Sequence, residues 1–388
     1  MAVLVAVESP AAPRPRARRD ALRVMQVYPN SDFYTGAAIQ MFELARGLAG
    51  RGHDVAVVTR PSPLWAARAR EAGLAHHALP MASAHDLRSA WALARLARRH
   101  GTQVLHAHKG RARTLALLAG LAGRRPVLIA NRGVSFPLGL NRLGYRTGRV
   151  DAVVAVCESI RRGMIARGVP AAKIHTIHSG TDTERFHPGL DGAAVRQELR
   201  IPPRAFLVVQ VGVRSVKGND DVMSAMARVV GQVPGAMLLI VGARRVQATL
   251  DRARQKGLRA GQVRVLGYRE DIPRILAAAD CSVDASWAGL GITGALRESL
   301  AVGTPVIATA LEGNPDLVID GETGLLVPPR DPGAIARAVT ALAADPALCA
   351  RLGQAGHRLV AARFSLEAKL DAMEALYEGL VAARAGGS

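Results

Sequence analysis

The sequence predicts two doubly wound α/β domains in tandem. Three observations lead there. Short Val/Ile/Leu runs alternate with Ala/Leu/Arg segments of helical spacing almost throughout. The apolar runs are continuous rather than alternating, so both faces of each sheet are covered and the strands are parallel. A polar stretch rich in Gly and Pro, SGTDTERFHPGLDG at 179–192, separates two sets of such runs and reads as a linker.

In the first set, ALRVMQVYP is followed by the helical segment AAIQMFELARGLAGRG, then by the strand DVAVVT. The helical DLRSAWALARLARRHG precedes the strands VLHAH, PVLIAN, AVVAV and KIHTIHS. After Pro188 the strands FLVVQVG, AMLLIVG, VRVLG, CSVDAS, PVIATA and GLLVP follow, each leading to a helical segment, and the chain ends in helices such as SLEAKLDAMEALYEGLVAAR. The expected division is a basic, disordered tail at 1–21, an N-terminal domain at 22–182, a C-terminal domain at 183–364, and a final helix at 365–388. Ligands of open α/β sheets bind at the carboxyl ends of the strands, so two such domains in tandem frame one cleft.

A chain of 388 residues with 4% aromatics suits Ala/Leu-rich helices on buried sheets. Cys157, Cys281 and Cys349 stand far apart, fit neither a disulfide framework nor a zinc site, and point to a reducing compartment. No apolar run approaches the roughly 20 residues of a spanning helix. MAVLVAV is too short for a signal core and has no basic segment before it. Residues 1–185 hold 28 Lys and Arg against 11 Asp and Glu, whereas 186–388 hold 23 against 20. Clusters at Arg14/Arg16/Arg18/Arg19, Arg95/Arg98/Arg99, Lys109/Arg111/Arg113, Arg124/Arg125 and Arg161/Arg162 carry the excess. Such a face attracts anions. No nucleic-acid motif accompanies it and few aromatics lie among the arginines, so lipid headgroups or an anionic acceptor fit better. A merely solvated arginine-rich surface is the plain alternative.

The most informative stretch is WAGLGITGALRESLAVGTPVIATALEGNPDLVIDGETGLLVP at 287–328. A strand feeds a glycine-rich turn, and a helix opens at Thr293 with Glu298 about one and a half turns in. A helix amino end fronted by glycines favours a phosphate through its free N–H groups and dipole. A carboxylate at Glu298 is placed to accept hydrogen bonds from ribose hydroxyls. Gly289, Gly291 and Gly294 also match the dinucleotide fingerprint, with Glu312 as its ribose acid, but two residues separate the turn from its strand. A third reading is that these glycines only stop a strand and start a helix. His106 and His108, two apart on one strand face, point at the cleft if that strand is parallel, and with Asn131 and Ser135 they are candidates to bind acceptor or sugar hydroxyls. No carboxylate cluster near them suggests a metal. Glu312, Asn314 and Asp316 lie in a loop beside the turn, and Asp284 and Glu158 are carboxylates to which no catalytic role is assigned.

Five segments in order, GRGHDVAVVTR, SGTDTERFHPG, VGVRSVKG, LGYREDIPRILAAADC and LRESLAVGTPVIATALEGNPDLVIDGETGLLVPPRDP, resemble glycosyltransferase family 4 from about residue 22 onward. The resemblance implies a GT-B fold, a retaining reaction on a nucleoside-diphosphate sugar, and a final helix that returns to the N-terminal domain. It implies that Glu298 holds the donor ribose and that Gly291, Ile292, Thr293 and Gly294 form the turn whose amides meet the phosphates. It implies that Lys217, with Arg214, neutralises the diphosphate. Tyr268 and Arg269 match the turn that touches the base, and Gly36 matches the N-terminal loop facing the diphosphate. The sequence departs from the pattern at Leu290, where the family has a Glu that meets the sugar, and at Arg132, where a His is common. Ala37 replaces a second glycine, and Val213 follows Gly212 where Arg is usual.

The expectation is a cytoplasmic or membrane-peripheral transferase acting on a lipid-linked or polysaccharide acceptor in cell-envelope glycan synthesis. Fixed positive groups, Lys217, Arg214 and Arg132, stand in for a metal, so no cofactor is expected and no nucleic-acid partner. The alternatives are a catalytically silent nucleotide-sugar binder, motivated by Leu290 and Arg132, and an NAD-dependent enzyme.

Overall fold

The computed structural model describes residues 21–120, 125–135, 142–288 and 291–386. Leu290 and Gly289, the basic residues Arg14, Arg16, Arg18 and Arg19, and Arg124 lie outside these. The strands of the first sheet are β1 (Arg23–Tyr28), β2 (Asp54–Thr59), β3 (Ala75–Ala78), β4 (Val104–His108), β5 (Val127–Arg132), β6 (Ala152–Ala155) and β7 (Ile174–Thr176). They lie in the order β3-β2-β1-β4-β5-β6-β7, and every pairing is parallel. The second sheet holds β8 (Leu207–Val211), β9 (Met237–Val241), β10 (Val263–Leu266), β11 (Cys281–Asp284), β12 (Val306–Thr309) and β13 (Leu325–Val327). Its order is β10-β9-β8-β11-β12-β13, also all parallel. The chain thus makes the two tandem doubly wound domains that its periodicity implies. In each sheet the order reverses beside the first strand, between β1 and β4 and between β8 and β11, where a crevice opens for ligands.

Helices begin where a side chain replaces the missing backbone partner. Thr35, Ser62, Asp86, Asp331 and Asp345 each accept a hydrogen bond from the amide three residues on. Helices line both faces of each sheet, so Val27, Val58, Val209 and Ile240 are wholly buried. Arg113, expected on a basic surface, is buried instead. Its guanidinium lies 4.0 Å over the Tyr145 ring.

The final helix, Leu366–Gly386, packs on the N-terminal domain, where Leu370, Met373 and Tyr377 join the core around Leu44 and Leu48. Burial of that kind stabilises by about 1.5–3 kcal/mol per large side chain. Arg51 fastens the same helix through Asp371 (2.8 Å), Glu374 (2.6 Å) and Glu367. The chain crosses between domains twice, side by side. Thr181 N–H donates to Phe364 O and Leu366 N–H donates to Thr181 O, both at 2.8 Å. Gly180 has no room for a side chain, since a Cβ there would lie 2.7 Å from Leu366 Cα.

This helix corrects the reading of His106. The strand is parallel and both histidines share a face, but His106 is fully buried beneath the final helix rather than in the cleft. Its Nδ1 lies 2.7 Å from the Tyr377 hydroxyl, and its ring stacks on His108 at 4.3 Å. Burial drives His106 down to about 3 and His108 well below the usual imidazole range, so both rings are neutral.

Candidate active site

The loop after β8 turns on two glycines with left-handed backbone, Gly212 (φ 94°) and Gly218 (φ 62°). Asn219 ties the loop down, donating from Nδ2 to Gln210 Oε1 (2.9 Å) and to Gly212 O (3.0 Å). Gln210 Nε2 donates to Lys217 O at 3.0 Å. Lys217 is therefore held with its side chain turned inward. Its ammonium, nearly buried, donates to Asp284 Oδ2 at 2.5 Å.

Asp284 ends β11 and is the centre that sequence reasoning missed. Its carboxylate also accepts from Ser286 N–H (3.0 Å), the Ser286 hydroxyl, and Thr293 Oγ1 (2.8 Å). Burial opposes its charge, but Lys217 and these hydroxyls outweigh burial and hold its pKa below the usual carboxylate value. Because Thr293 Oγ1 is committed to Asp284, it does not cap its own helix, Gly294–Ala301, whose first amides keep no side-chain acceptor.

Glu298 lies back over that amino end. A Cβ on Gly294 would fall 3.1 Å from Glu298 Oε1, so the carboxylate lies close against this backbone. Burial raises the Glu298 pKa against the pull of Arg297, Arg185 and Lys217. Among the described residues its carboxylate makes no hydrogen bond, leaving its oxygens ready to accept. Gly291 and Ile292 pack against the N-terminal domain. A Cβ on Gly291 would lie 2.9 Å from Val156 Cγ2, and Ile292 touches the cores of both domains. Arg214 is exposed and its guanidinium has no partner among the described residues.

On the facing side, Gly36 opens the helix Gly36–Gly50, and a Cβ added to it would meet nothing within 4 Å. Tyr34 and Tyr268 meet across the cleft mouth from opposite domains, ring centroids 5.1 Å apart and both exposed. Arg269 departs from expectation. Its guanidinium is spent on Glu198 (2.5 and 2.8 Å) and Asp271 (2.7 Å), so only its backbone remains for a donor. Arg132 and Asn131 end β5, partly buried, and Ser135 follows, half-buried. Asn131 and His108 line a water-sized cavity with Gln40, His178, Ser179 and Lys369. The polar side chains of this loop do structural work. Asn314 Nδ2 donates to Thr309 O at 3.0 Å, and Asp316 Oδ2 accepts from Glu158 N–H across the cleft at 2.7 Å. Glu158 itself accepts from Thr176 and Arg161, each at 2.9 Å, and Glu312 occupies a left-handed turn (φ 54°). Among the described residues no three His, Cys, Asp or Glu gather as a metal site.

Two buried cations were also missed. Arg297 donates from Nε to Thr181 Oγ1 (3.3 Å) and from Nη1 to Ile292 O (3.1 Å), and burial lowers it to about 10. Lys369 Nζ donates to Gln40 O (2.6 Å) and Oε1 (3.0 Å). Burial, aided by the Arg297 charge, pushes its ammonium down to about 7. The unfolded lysine titrates near 10.4, so between about pH 7 and 10 the unfolded chain binds a proton that the native chain does not. Native stability therefore rises with pH through that window, and below about 7 the full penalty remains. In urea melts the stability of the parent relative to Lys369→Met should climb from about pH 7 to 10. A pH-independent difference would remove this assignment.

The arrangement suits an anionic group bound where the uncapped helix amides, Lys217 and Arg214 converge, with an adjoining diol on Glu298. The C-terminal half, residues 203–345, matches the family model described as glycosyl transferases group 1, and residues 34–185 match that of glycosyltransferase family 4. The lipopolysaccharide core biosynthesis glycosyltransferase LpsE of Rhizobium meliloti is 31% identical over 353 residues, 87% of this chain and 94% of that protein. The putative glycosyltransferase EpsD of Bacillus subtilis is 30% identical over 73% of this chain and 71% of its own length. A glycosyltransferase from Rickettsia africae superposes with a TM-score of 0.84 at 18% identity, covering 94% of this chain and 99% of that one. Anabaena HepE, solved in complex with UDP and glucose, gives 0.79 at 19% over 92% and 99%. These matches are to transferases and set aside the NAD-dependent alternative.

Proposed function

The chain belongs to glycosyltransferase family 4, with the GT-B fold, and from that premise we propose that it moves a hexose-like sugar from a nucleoside diphosphate to a lipid-linked or polysaccharide acceptor with retention at the anomeric carbon. The observation that carries this reading is the buried Lys217–Asp284 pair set against an uncapped helix amino end, one turn from the unengaged carboxylate of Glu298. The activity of a further relative supports the substrate class. A mannosyltransferase of Mycolicibacterium smegmatis, 31% identical over 264 residues, is GDP-mannose-dependent and acts on a phosphatidylinositol monomannoside.

In the proposed step the bond from the anomeric carbon to the donor's phosphate oxygen breaks, and the diphosphate leaves with the electron pair. An acceptor hydroxyl oxygen bonds to the anomeric carbon from the same face, and its proton passes to the departing phosphate. The leaving group gains negative charge as the bond stretches, and preplaced cations and amides stabilise that charge at little reorganisation cost. Asp284 keeps the Lys217 ammonium aimed before the donor arrives. Arg132 at the end of β5 takes the place in which the family often has His, and it is suited to a phosphate or an anionic acceptor because it never loses its charge.

A charge-assisted hydrogen bond to a ribose diol is worth about 1.5–3 kcal/mol, so Glu298→Ala should weaken nucleotide binding by about tenfold or more. Calorimetry with the best nucleotide checks this, and unchanged affinity would sink the ribose assignment. The function itself is tested by thermal shift across nucleotide-sugars, then by transfer from the best of them to cell-envelope extract. The anomeric configuration of the product, read by NMR, decides between retention and inversion. Absence of both transfer and hydrolysis across a broad panel would overturn the proposal.

A further inference from the structure

Helix Leu87–Arg99 presents an unusual outer face. Its buried side, Ala90, Leu93, Ala94 and Ala97, packs on the N-terminal domain. On the opposite side Leu87 is 69% and Trp91 59% exposed, the two most exposed large apolar side chains on the helices of this domain among the described residues. Arg88, Arg95 and Arg99 are exposed on the same face. Positions 87, 91, 95 and 99 recur every four residues and so fall in one stripe. The Arg95 guanidinium sits 5.6 Å over the Trp91 ring. No acidic residue occurs within the helix, and its N-cap Asp86 is committed to Ser89 and Ala82.

We propose that this face docks the protein onto a bilayer surface carrying anionic phospholipid, with Leu87 and Trp91 entering the headgroup–acyl boundary and the arginines meeting phosphates. Two observations favour a bilayer over a soluble polyanion. Leu87 offers nothing to a nucleic acid or an acidic glycan, whereas an amphipathic helix lying in a membrane interface needs apolar side chains on its face. Indole is preferred at that depth because its ring is apolar and its N–H reaches water. The charge complements the partner. The N-terminal half holds nearly all the net positive charge of the chain, and each Lys or Arg near an anionic leaflet adds attraction that fades within a Debye length, about 10 Å at 0.1 M salt. Among the described residues no single helix is long and apolar enough to span a membrane, and none is needed for this mode. The inference does not rest on the transferase reading.

Trp91 supplies its own reporter. Of the three tryptophans, Trp65 is wholly buried and Trp287 is stacked by Arg330 at 4.2 Å, so Trp91 is the one a membrane reaches. The full chain is mixed with vesicles of phosphatidylcholine alone or with phosphatidylglycerol, with and without brominated acyl chains. Sedimentation with the acidic vesicles only, a blue shift of emission, and quenching by the bromines are expected. Leu87→Ala should weaken partition by about fivefold, as expected for losing a partly inserted side chain, and Arg88→Glu/Arg95→Glu/Arg99→Glu by about 100-fold or more. Both variants should melt at the parental temperature, since they alter only exposed positions. Sedimentation without quenching assigns the attraction to another basic segment or to a polyanion surface and overturns the proposal. Equal binding to neutral vesicles, or partition unchanged in both variants, overturns it as well. Activity on a water-soluble acceptor stays unchanged in either case, which separates this test from that of the transferase.

Discussion

Lys217→Ala should lower turnover by about 10²–10³-fold, the usual loss when one preplaced stabiliser of a developing anion is removed. The ammonium is nearly buried and fixed at 2.5 Å from Asp284, so it meets a diphosphate without searching for a geometry. Nucleotide affinity should fall less than turnover, because charge on the leaving group is greatest in the transition state. One complication can be separated. Removing Lys217 leaves the Asp284 carboxylate buried with only hydroxyl and amide donors, and an unpaired buried charge costs about 3–5 kcal/mol. The double variant Lys217→Ala/Asp284→Asn should recover that stability and none of the activity. Near-parental turnover in Lys217→Ala, or activity restored along with stability in the double variant, would show that the lysine serves the fold alone.

Gly218→Ala should be the most damaging small substitution in the site. The residue sits at φ 62°, and a Cβ there would lie 2.1 Å from the carbonyl oxygen of Ala285. Neither group is a flexible side-chain end, so β11 or the Lys217 loop must shift. Left-handed backbone and a backbone clash together cost about 3 kcal/mol or more. Denaturant melts should report that loss, and donor binding should weaken because Lys217 moves with the loop. Gly36→Ala is the control. A Cβ at 36 meets nothing, so stability should hold while any change in donor affinity reports how near the ligand comes. A Gly218→Ala protein as stable as its parent would remove the account of the loop.

The strands were legible because parallel, doubly covered strands need continuous apolar runs, and DVAVVT or AMLLIVG cannot be much else. Strand β3 is not legible in this way, because AHHA at a sheet edge is not such a run. The loops of the site were legible through glycine. The left-handed turn at 218, pressed against the Ala285 carbonyl, leaves a mark in sequence because it excludes other residues. Side chains that act through long-range partners leave no such mark. Asp284 looks like any strand-end acid until Lys217, 67 residues away, turns in to meet it. Arg297 and Lys369 look like the solvated face of a helix, yet both are buried at the crossing of the domains. The two-residue period of VLHAH puts His106 on the correct strand face, but what covers that face arrives 271 residues later. Arg269 matched a motif position while its side chain had been claimed by Glu198 across the domain.

That last helix also sets the order in which the protein can be made. Domains emerging from a ribosome usually fold as units, the first before the second. Here the first cannot finish. Until residues 366–386 are released, Leu44 and Leu48 lack the cover of Leu370 and Met373, and His106 and Gln26 lack the Tyr377 hydroxyl that both of them contact. The cores of the C-terminal domain end at Phe364 and draw on none of the final helix. The N-terminal domain waits with an open seam until those residues emerge, so a nascent chain stalled before them exposes apolar surface to chaperones from its oldest half.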